Sequence, residues 1–362
     1  MHRELRSGRR ERWSGGVAGA RVGRGFGLPA ALLVAVAVAV TSGCAVNSLG
    51  LDLDSGVGAD APEDLADEAA AAPDGGTDVT ADLAVDAACA VCDQDATFIL
   101  LPGKRLEGNT TGRAARNQGS CGGGDAPEAI FKIALPVTSD LFITTHGTRF
   151  NTVVYLRRDN CCGDEVACND DADGRSTSVI AEKGLAPGTY YIYVDGATAS
   201  DAGPFSLDVY ATPAASHDAE ACGNPLRIST DPISRSTCDS VDDYSPPVGC
   251  STAVSGPNGR DQVFYFVLDA PGLVTFSTCE GTCIDTVLYL RDVCSDPASV
   301  PLNGCDDDAC RASGSCQTAG NQVQSRVAAT LTAGVHYLVL DTFAAAGPAP
   351  CGGFTITPTG VP

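Results

Sequence analysis

The sequence predicts an all-β protein built from two tandem β-sandwich domains. Three observations predict it. Past residue 95 the apolar residues alternate at every second position: Phe131, Ile133 and Leu135 against Ile130, Lys132 and Ala134, then Phe205, Leu207 and Val209 against Ser206 and Asp208. That period gives each strand one core face and one wet face. Clusters of Gly, Pro, Asn and Asp separate the runs at the spacing of a sandwich, and no long stretch after residue 90 has helical periodicity. Finally, residues 144–157 (TTHGTRFNTVVYLR) and 278–291 (TCEGTCIDTVLYLR) share eight of 14 positions at an offset of 134. Such self-similarity marks one module used twice.

In chain order, residues 1–43 read as a signal peptide. Seven Arg fall within the first 25 residues, Leu28–Val40 is an apolar run of 13, and Thr41-Ser42-Gly43 supplies small residues. The run is short for a membrane-spanning helix, which needs about 20 residues. Small residues followed by Cys44 resemble the bacterial lipobox, with Thr41 where that pattern usually has Leu. The resemblance implies acylation of Cys44 and a lipid anchor in the membrane. Ordinary cleavage nearby, with Cys44 as a spare thiol, is the alternative. The chain has 17 Cys; setting Cys44 aside leaves 16, an even number suited to an exported, oxidised protein.

Residues 44–88 read as a disordered acidic linker rich in Ala, Asp and Gly, too poor in apolar residues to offset its ordering entropy. Residues 89–213 and 214–362 are the two modules. Their flanks agree: Glu128-Ala-Ile-Phe with Asp261-Gln-Val-Phe, Cys168-Asn-Asp-Asp with Cys305-Asp-Asp-Asp, and Leu185-Ala-Pro-Gly through Asp195 with Leu331-Thr-Ala-Gly through Asp341. This order of motifs resembles the bacterial pre-peptidase C-terminal domain family, in two copies over about 70% of the chain. The resemblance implies jelly-roll-like sandwiches. It also implies a non-catalytic binding or targeting role, since related modules of secreted collagenases bind collagen and calcium.

Charge narrows the partners. The chain carries −22, and without residues 1–43 the balance is 16 basic against 43 acidic, or −27. So acidic a surface repels phosphate backbones, and nucleic acid is excluded as a partner.

Six Cys fall in the first module and ten in the second, so each module can close its own set. The repeat suggests that Cys161 or Cys162 pairs with Cys168, that Cys294 pairs with Cys305, and that Cys310 pairs with Cys316. Zinc is disfavoured, because Cys89-x-x-Cys92 and Cys279-x-x-x-Cys283 lack a second ligand pair.

The sharpest chemical feature is Asn169-Asp170-Asp171-Ala-Asp173-Gly174, with oxygen-bearing residues at alternate positions and Gly sixth. That is how a calcium loop begins, although Ile180 stands where an EF-hand needs Glu. In the second copy the candidate ligands are Asp306, Asp307 and Asp308, with Asp285 in place of Asn151. Solvated acidic turns are the alternative.

No Gly-x-Ser-x-Gly elbow, His-Glu-x-x-His or phosphate-binding loop is present, and no organic cofactor is expected. The expected protein is a non-enzymatic, outer-membrane-anchored or surface lipoprotein that binds an extracellular protein or polysaccharide. A structural envelope protein and an accessory module of a separate secreted protease are the alternatives.

Overall fold

The computed structural model describes residues 91–250, 259–311, 323–343 and 351–362. The leader over 1–43, Cys44, the linker over 44–88, Cys89 and Cys316 lie outside the described residues.

After a helical turn over 91–95, the regular elements are strands. The first sandwich uses β1 (Thr97–Ile99), β2 (Gly103–Asn109), β3 (Gln118–Gly119), β4 (Gly122–Gly123), β5 (Ala129–Leu135), β6 (Ser139–Thr144), β7 (Thr152–Arg158), β8 (Glu165–Asn169), β9 (Val179–Leu185), β10 (Gly188–Gly196) and β11 (Pro204–Pro213). The second uses β12 (Leu226–Arg227), β13 (Ile233–Ser236), β14 (Gln262–Leu268), β15 (Gly272–Ser277), β16 (Thr286–Arg291), β17 (Cys305–Asp306), β18 (Cys310–Arg311), β19 (Val323–Gln324), β20 (Arg326–Leu331), β21 (Gly334–Thr342) and β22 (Gly353–Thr359).

The two copies share one topology. The five-stranded sheets run β1-β5-β10-β7-β8 and β12-β14-β21-β16-β17; the four-stranded sheets run β2-β11-β6-β9 and β13-β22-β15-β20. In each copy the first strand pairs parallel with its neighbour, β1 with β5 and β12 with β14. Inward residues fill each sandwich as the alternation predicts: Phe131, Ile133, Leu141, Ile143, Leu207 and Val209 in the first, Phe264, Phe266, Val274, Phe276 and Phe354 in the second.

The expected wet face is not wet everywhere. Strands β14 and β16 are buried along their whole length. The outer face of their sheet (Val263, Tyr265, Tyr289, Tyr337) packs on Phe142 and Tyr210, which project from the four-stranded sheet of the first sandwich. The two sandwiches therefore share a third apolar core and belong to one compact unit. At its centre the Arg105 guanidinium donates to both carboxylate oxygens of Asp208, at 2.6 and 2.9 Å, and to the carbonyl of Val335 at 3.0 Å. The Tyr337 hydroxyl donates to Asp208 Oδ2 at 2.6 Å. The Val335 carbonyl and the Tyr337 hydroxyl thus add further hydrogen bonds to this largely buried, bidentate ion pair, which is the condition under which such a pair offsets its desolvation.

The repeat also carries a one-residue insertion. Hydroxyls of Thr145, Thr152 and Ser178 form a buried network in the first copy, and those of Thr278, Thr286 and Ser325 form the same network in the second. Thr278 thus matches Thr145 and not Thr144, so the offset rises from 133 to 134 within the following turn.

The disulfides depart from the expected pairs. Cys294 bonds Cys222 and Cys305 bonds Cys250, not each other. Cys168 bonds Cys121, Cys161 bonds Cys92, and Cys310 bonds Cys279 rather than Cys316. Cys238–Cys351 completes the described bonds, and Cys162 and Cys283 are disulfide-bonded as well. The physical reason is register. Cys305 sits opposite Tyr289 on the neighbouring strand, while Cys294 lies beyond the end of β16 and is carried away from it. Both instead hold segments that cross the outer face of the sheet. The pairs Cys92–Cys161 and Cys121–Cys168 do in the first copy what Cys222–Cys294 and Cys250–Cys305 do in the second. So many disulfides fit a chain folded in an oxidising compartment. Among the described residues no helix is long and apolar enough to cross a membrane.

Candidate metal centre

The acidic loops expected to hold calcium divide into three roles. Asn169 and Asp306 are strand ties. The Asn169 Oδ1 accepts the Val179 N–H at 2.8 Å, and Asp306 Oδ1 accepts the Arg326 N–H at 2.9 Å. Each joins the short edge strand of one sheet to the first residues of β9 or β20 in the other.

Asp173 is drawn away from its loop. Asp173 and Gly174 have φ of 58° and 73°, and Ala172 pairs with Arg175 across them. Two successive left-handed residues make a type I′ hairpin turn, for which Asp-Gly is a favoured pair. The turn sends the Asp173 carboxylate to Arg227 Nε at 3.1 Å and His146 Nε2 at 3.2 Å. Those contacts, with Arg175 beyond them, hold its carboxyl below the ordinary range despite burial. Both of its oxygens are thus engaged by side chains, Oδ1 by Arg227 and Oδ2 by His146. Asp173 therefore stands apart from Asp170 and Asp171; Asp171 is exposed and one oxygen of Asp170 is buried.

The second copy differs. Among the described residues, Asp285, Asp307 and Asp308 offer carboxylate oxygens that all lie within 4.8 Å of one another. Asp285 precedes β16, and the other two follow β17, the strand paired with β16. Asp285 Oδ1 is buried without a hydrogen-bond partner. Burial, then the charges of Asp307 and Asp308, push its carboxyl up to about 7. Such a cluster suits a hard cation, which takes about six to eight oxygens and reverses the local field. The residues fit calcium here. In the first copy Asn151 replaces Asp285, which leaves one charge fewer; Asn151 Oδ1 and Asp170 Oδ1 are likewise buried without partners.

Sequence reasoning missed a second pair of acids in each copy. One step beyond the pairing of Val194 with Ala129, Asp195 faces Glu128; one step beyond Leu340 with Gln262, Asp341 faces Asp261. Burial, with the Glu128 charge adding, pushes Asp195 up to about 7, and burial pushes Asp261 and Asp341 up as well. Both pairs stood in the aligned flanks of the repeat, but only strand register reveals that the two flanks meet.

The Tyr-Leu-Arg motif proves to be architecture. Arg157 lies over the rings of Tyr155 and Tyr193 at 5.5 Å, and Arg291 lies over Tyr244 and Tyr289 at 5.1 and 5.3 Å. These guanidiniums clamp the covering segments through cation–π contact and backbone carbonyls.

No family model matches the chain, and no curated protein matches it. Solved β-sandwich structures are similar to it. The pre-peptidase C-terminal domain of a collagenase from Bacillus anthracis is 16% identical, over 32% of this chain and 93% of that one, at a TM-score of 0.24. The CUB1-EGF-CUB2 domains of rat MASP-1 are 11% identical over 70% of this chain and 96% of that one, at 0.18. The tandem CBM22-1-CBM22-2 domain of Paenibacillus barcinonensis Xyn10C is 9% identical over 72% and 94%, also at 0.18.

Proposed function

We propose that this chain is a non-catalytic binding protein of the cell envelope. It is exported, held to a membrane through an acylated Cys44, and adheres to an extracellular protein or polysaccharide with two interlocked sandwiches. Calcium bound by Asp285, Asp307 and Asp308 staples the loop end of the second sandwich. The observation that carries this reading is that three-carboxylate cluster, with one buried oxygen lacking a partner, on a rigid double scaffold. The histidines support a structural rather than catalytic use. His146 is held by Asp173 and Thr177, His217 by two backbone carbonyls, and His336 by Asp292 and the Thr332 carbonyl.

The test is a thermal melt of the oxidised chain in saturating calcium and in EDTA, followed by a glycan and matrix-protein array under both conditions. Ligand at about 100 times its Kd adds about 2.7 kcal/mol. For a cooperative unit of this size that is roughly 5–11 °C in Tm. A shift of that size with calcium-dependent capture on the array supports the proposal. No shift and a silent array sink it and leave a structural envelope role.

A further inference from the structure

We propose that Gln324 adds a neutral amide oxygen to the three carboxylates that hold the cation of the second sandwich, and that the completed set selects calcium over magnesium. The proposal rests on the calcium reading above and deepens it.

Three contacts place Gln324 among the acids. Its Nε2 donates to the carbonyl of Ile284, the residue before Asp285, at 3.3 Å. Its neighbour Ser325 donates through Oγ to the carbonyl of Asp307 at 2.9 Å. Across the pair of β18 and β19 it stands opposite Cys310, two residues beyond Asp308. Each segment that carries a carboxylate of the cluster therefore meets Gln324 or the residue after it. Gln324 is 0% exposed, yet its Oε1 accepts no hydrogen bond. The Ile284 carbonyl fixes which way the amide faces, because Oε1 turned toward it would set two acceptors against each other. Asp285 Oδ1 is a second buried acceptor without a hydrogen bond. An amide oxygen and ionised carboxylates can only accept, so none of them satisfies another. A hard cation satisfies all of them together.

The first copy shows the same position in a different use. Thr177, one residue before Ser178, stands where the second copy has Gln324 before Ser325. The Thr177 hydroxyl is hydrogen-bonded to His146 Nδ1; in the second copy Cys279, bonded to Cys310, replaces that histidine. The copy that gains Asp285 in place of Asn151 thus also gains the unpartnered amide oxygen. Selectivity follows from burial. Gln324 Oε1 and Asp285 Oδ1 are buried while Asp308 is exposed, so a bound ion sheds its waters on the inner side. Calcium accepts about six to eight oxygens in flexible geometry, amide carbonyls among them. Magnesium demands a near-octahedral set at about 2.0–2.1 Å and dehydrates reluctantly.

The test is calorimetric titration of the oxidised full chain with calcium chloride and with magnesium chloride. Terbium luminescence follows, because lifetimes in H2O and D2O count the waters on the bound ion. The parent should bind magnesium about tenfold or more weakly than calcium. Gln324→Leu, which keeps the bulk and removes the oxygen, should weaken calcium by about tenfold or more and add a water to bound terbium. Gln324→Glu keeps an oxygen and loses the contact to Ile284. It should lower Tm in EDTA, where four carboxylates crowd together, and bind calcium at least as tightly as the parent. Magnesium binding as tightly as calcium overturns the proposal, as does a Glu variant that binds calcium as weakly as the Leu variant. Calcium binding that Asp285→Asn abolishes and Gln324→Leu leaves intact, with the parent's water count, sinks the amide ligand and leaves the calcium site standing. A parent that binds no calcium sinks both.

Discussion

Asp195 allows a prediction with a sign and a size. It is fully buried at the end of β10, and burial holds its carboxyl up to about 7. In the unfolded chain such a group titrates near 3.9. Between about pH 4 and pH 7 the folded state keeps a proton that the unfolded state has lost, so stability falls as pH rises through that window. Three units at 1.36 kcal/mol each give about 4 kcal/mol in all, of which about 2.5 kcal/mol falls between pH 5 and pH 8. Asp261 and Asp341 act in the same direction. Asp93, Asp173 and Asp269, held low by their cationic and hydroxyl partners, act with the opposite sign, but only as pH falls below about 4. The assay is urea unfolding in EDTA at pH 5, 6, 7 and 8, with Asp195→Asn run beside the parent. The parent should lose stability steadily across the series. The variant, which imitates the protonated acid, should lose about 2.5 kcal/mol less and be the more stable protein at pH 8. A parent whose stability is flat or rises with pH, or a variant with the parent's slope, refutes the reasoning.

The remaining predictions test the other joints. Asp285→Asn should abolish the calcium-dependent rise in Tm, whereas Asp173→Asn should leave that rise intact and lower Tm in both buffers by freeing Arg227. Gly174→Ala places a Cβ at φ 73° and should cost about 1 kcal/mol in a denaturant titration, with no change in calcium response. Replacing Phe142, Asp208 and Tyr210 together by Thr should split a single calorimetric transition into two, because it removes the apolar contact and strands Arg105 beside Tyr337. Cys44→Ser should move the exported chain from the membrane fraction to the soluble one, as read by fractionation and lipid labelling.

Much of the fold was legible because strand alternation and repetition are local signals. Phe131, Ile133 and Leu135 could be placed on one face, and Tyr155-Leu-Arg aligned with Tyr289-Leu-Arg, without knowing what any of them touches. The wet-face expectation failed on β14 because alternation predicts which residues share a face, not whether another domain covers it. Its outward residues Val263, Tyr265 and Val267, against Lys132 and Ala134 in β5, were the available hint. The disulfides failed because sequence proximity favours short loops, while Cα atoms must come within about 7 Å across the sheet. The candidate site was half legible. Asp285, Asp307 and Asp308 meet as the repeat suggested, yet Asp173 carries the same sequence signature and is taken by Arg227, a residue of the other sandwich.

The same repeat also shows that the docking face of the first sandwich is not repeated on the second. The four-stranded sheet of the first sandwich docks through Phe142, Asp208 and Tyr210. Strand register matches these residues with Thr275, Thr357 and Thr359 on the second sandwich, where Thr275 pairs with Thr359 as Phe142 pairs with Tyr210. Two rings and a carboxylate have become three hydroxyls, all at least partly exposed. These three positions can be solvated, although Leu273 beside them is 62% exposed, and none of the three is a carboxylate able to receive an arginine from a further copy. At the other end, the outer face of the first five-stranded sheet is closed by Cys92 of the helical turn and by Cys161. Among the described residues the docking contact is therefore made once, with different chemistry on the two outward faces, as in the terminal repeats of longer solenoids.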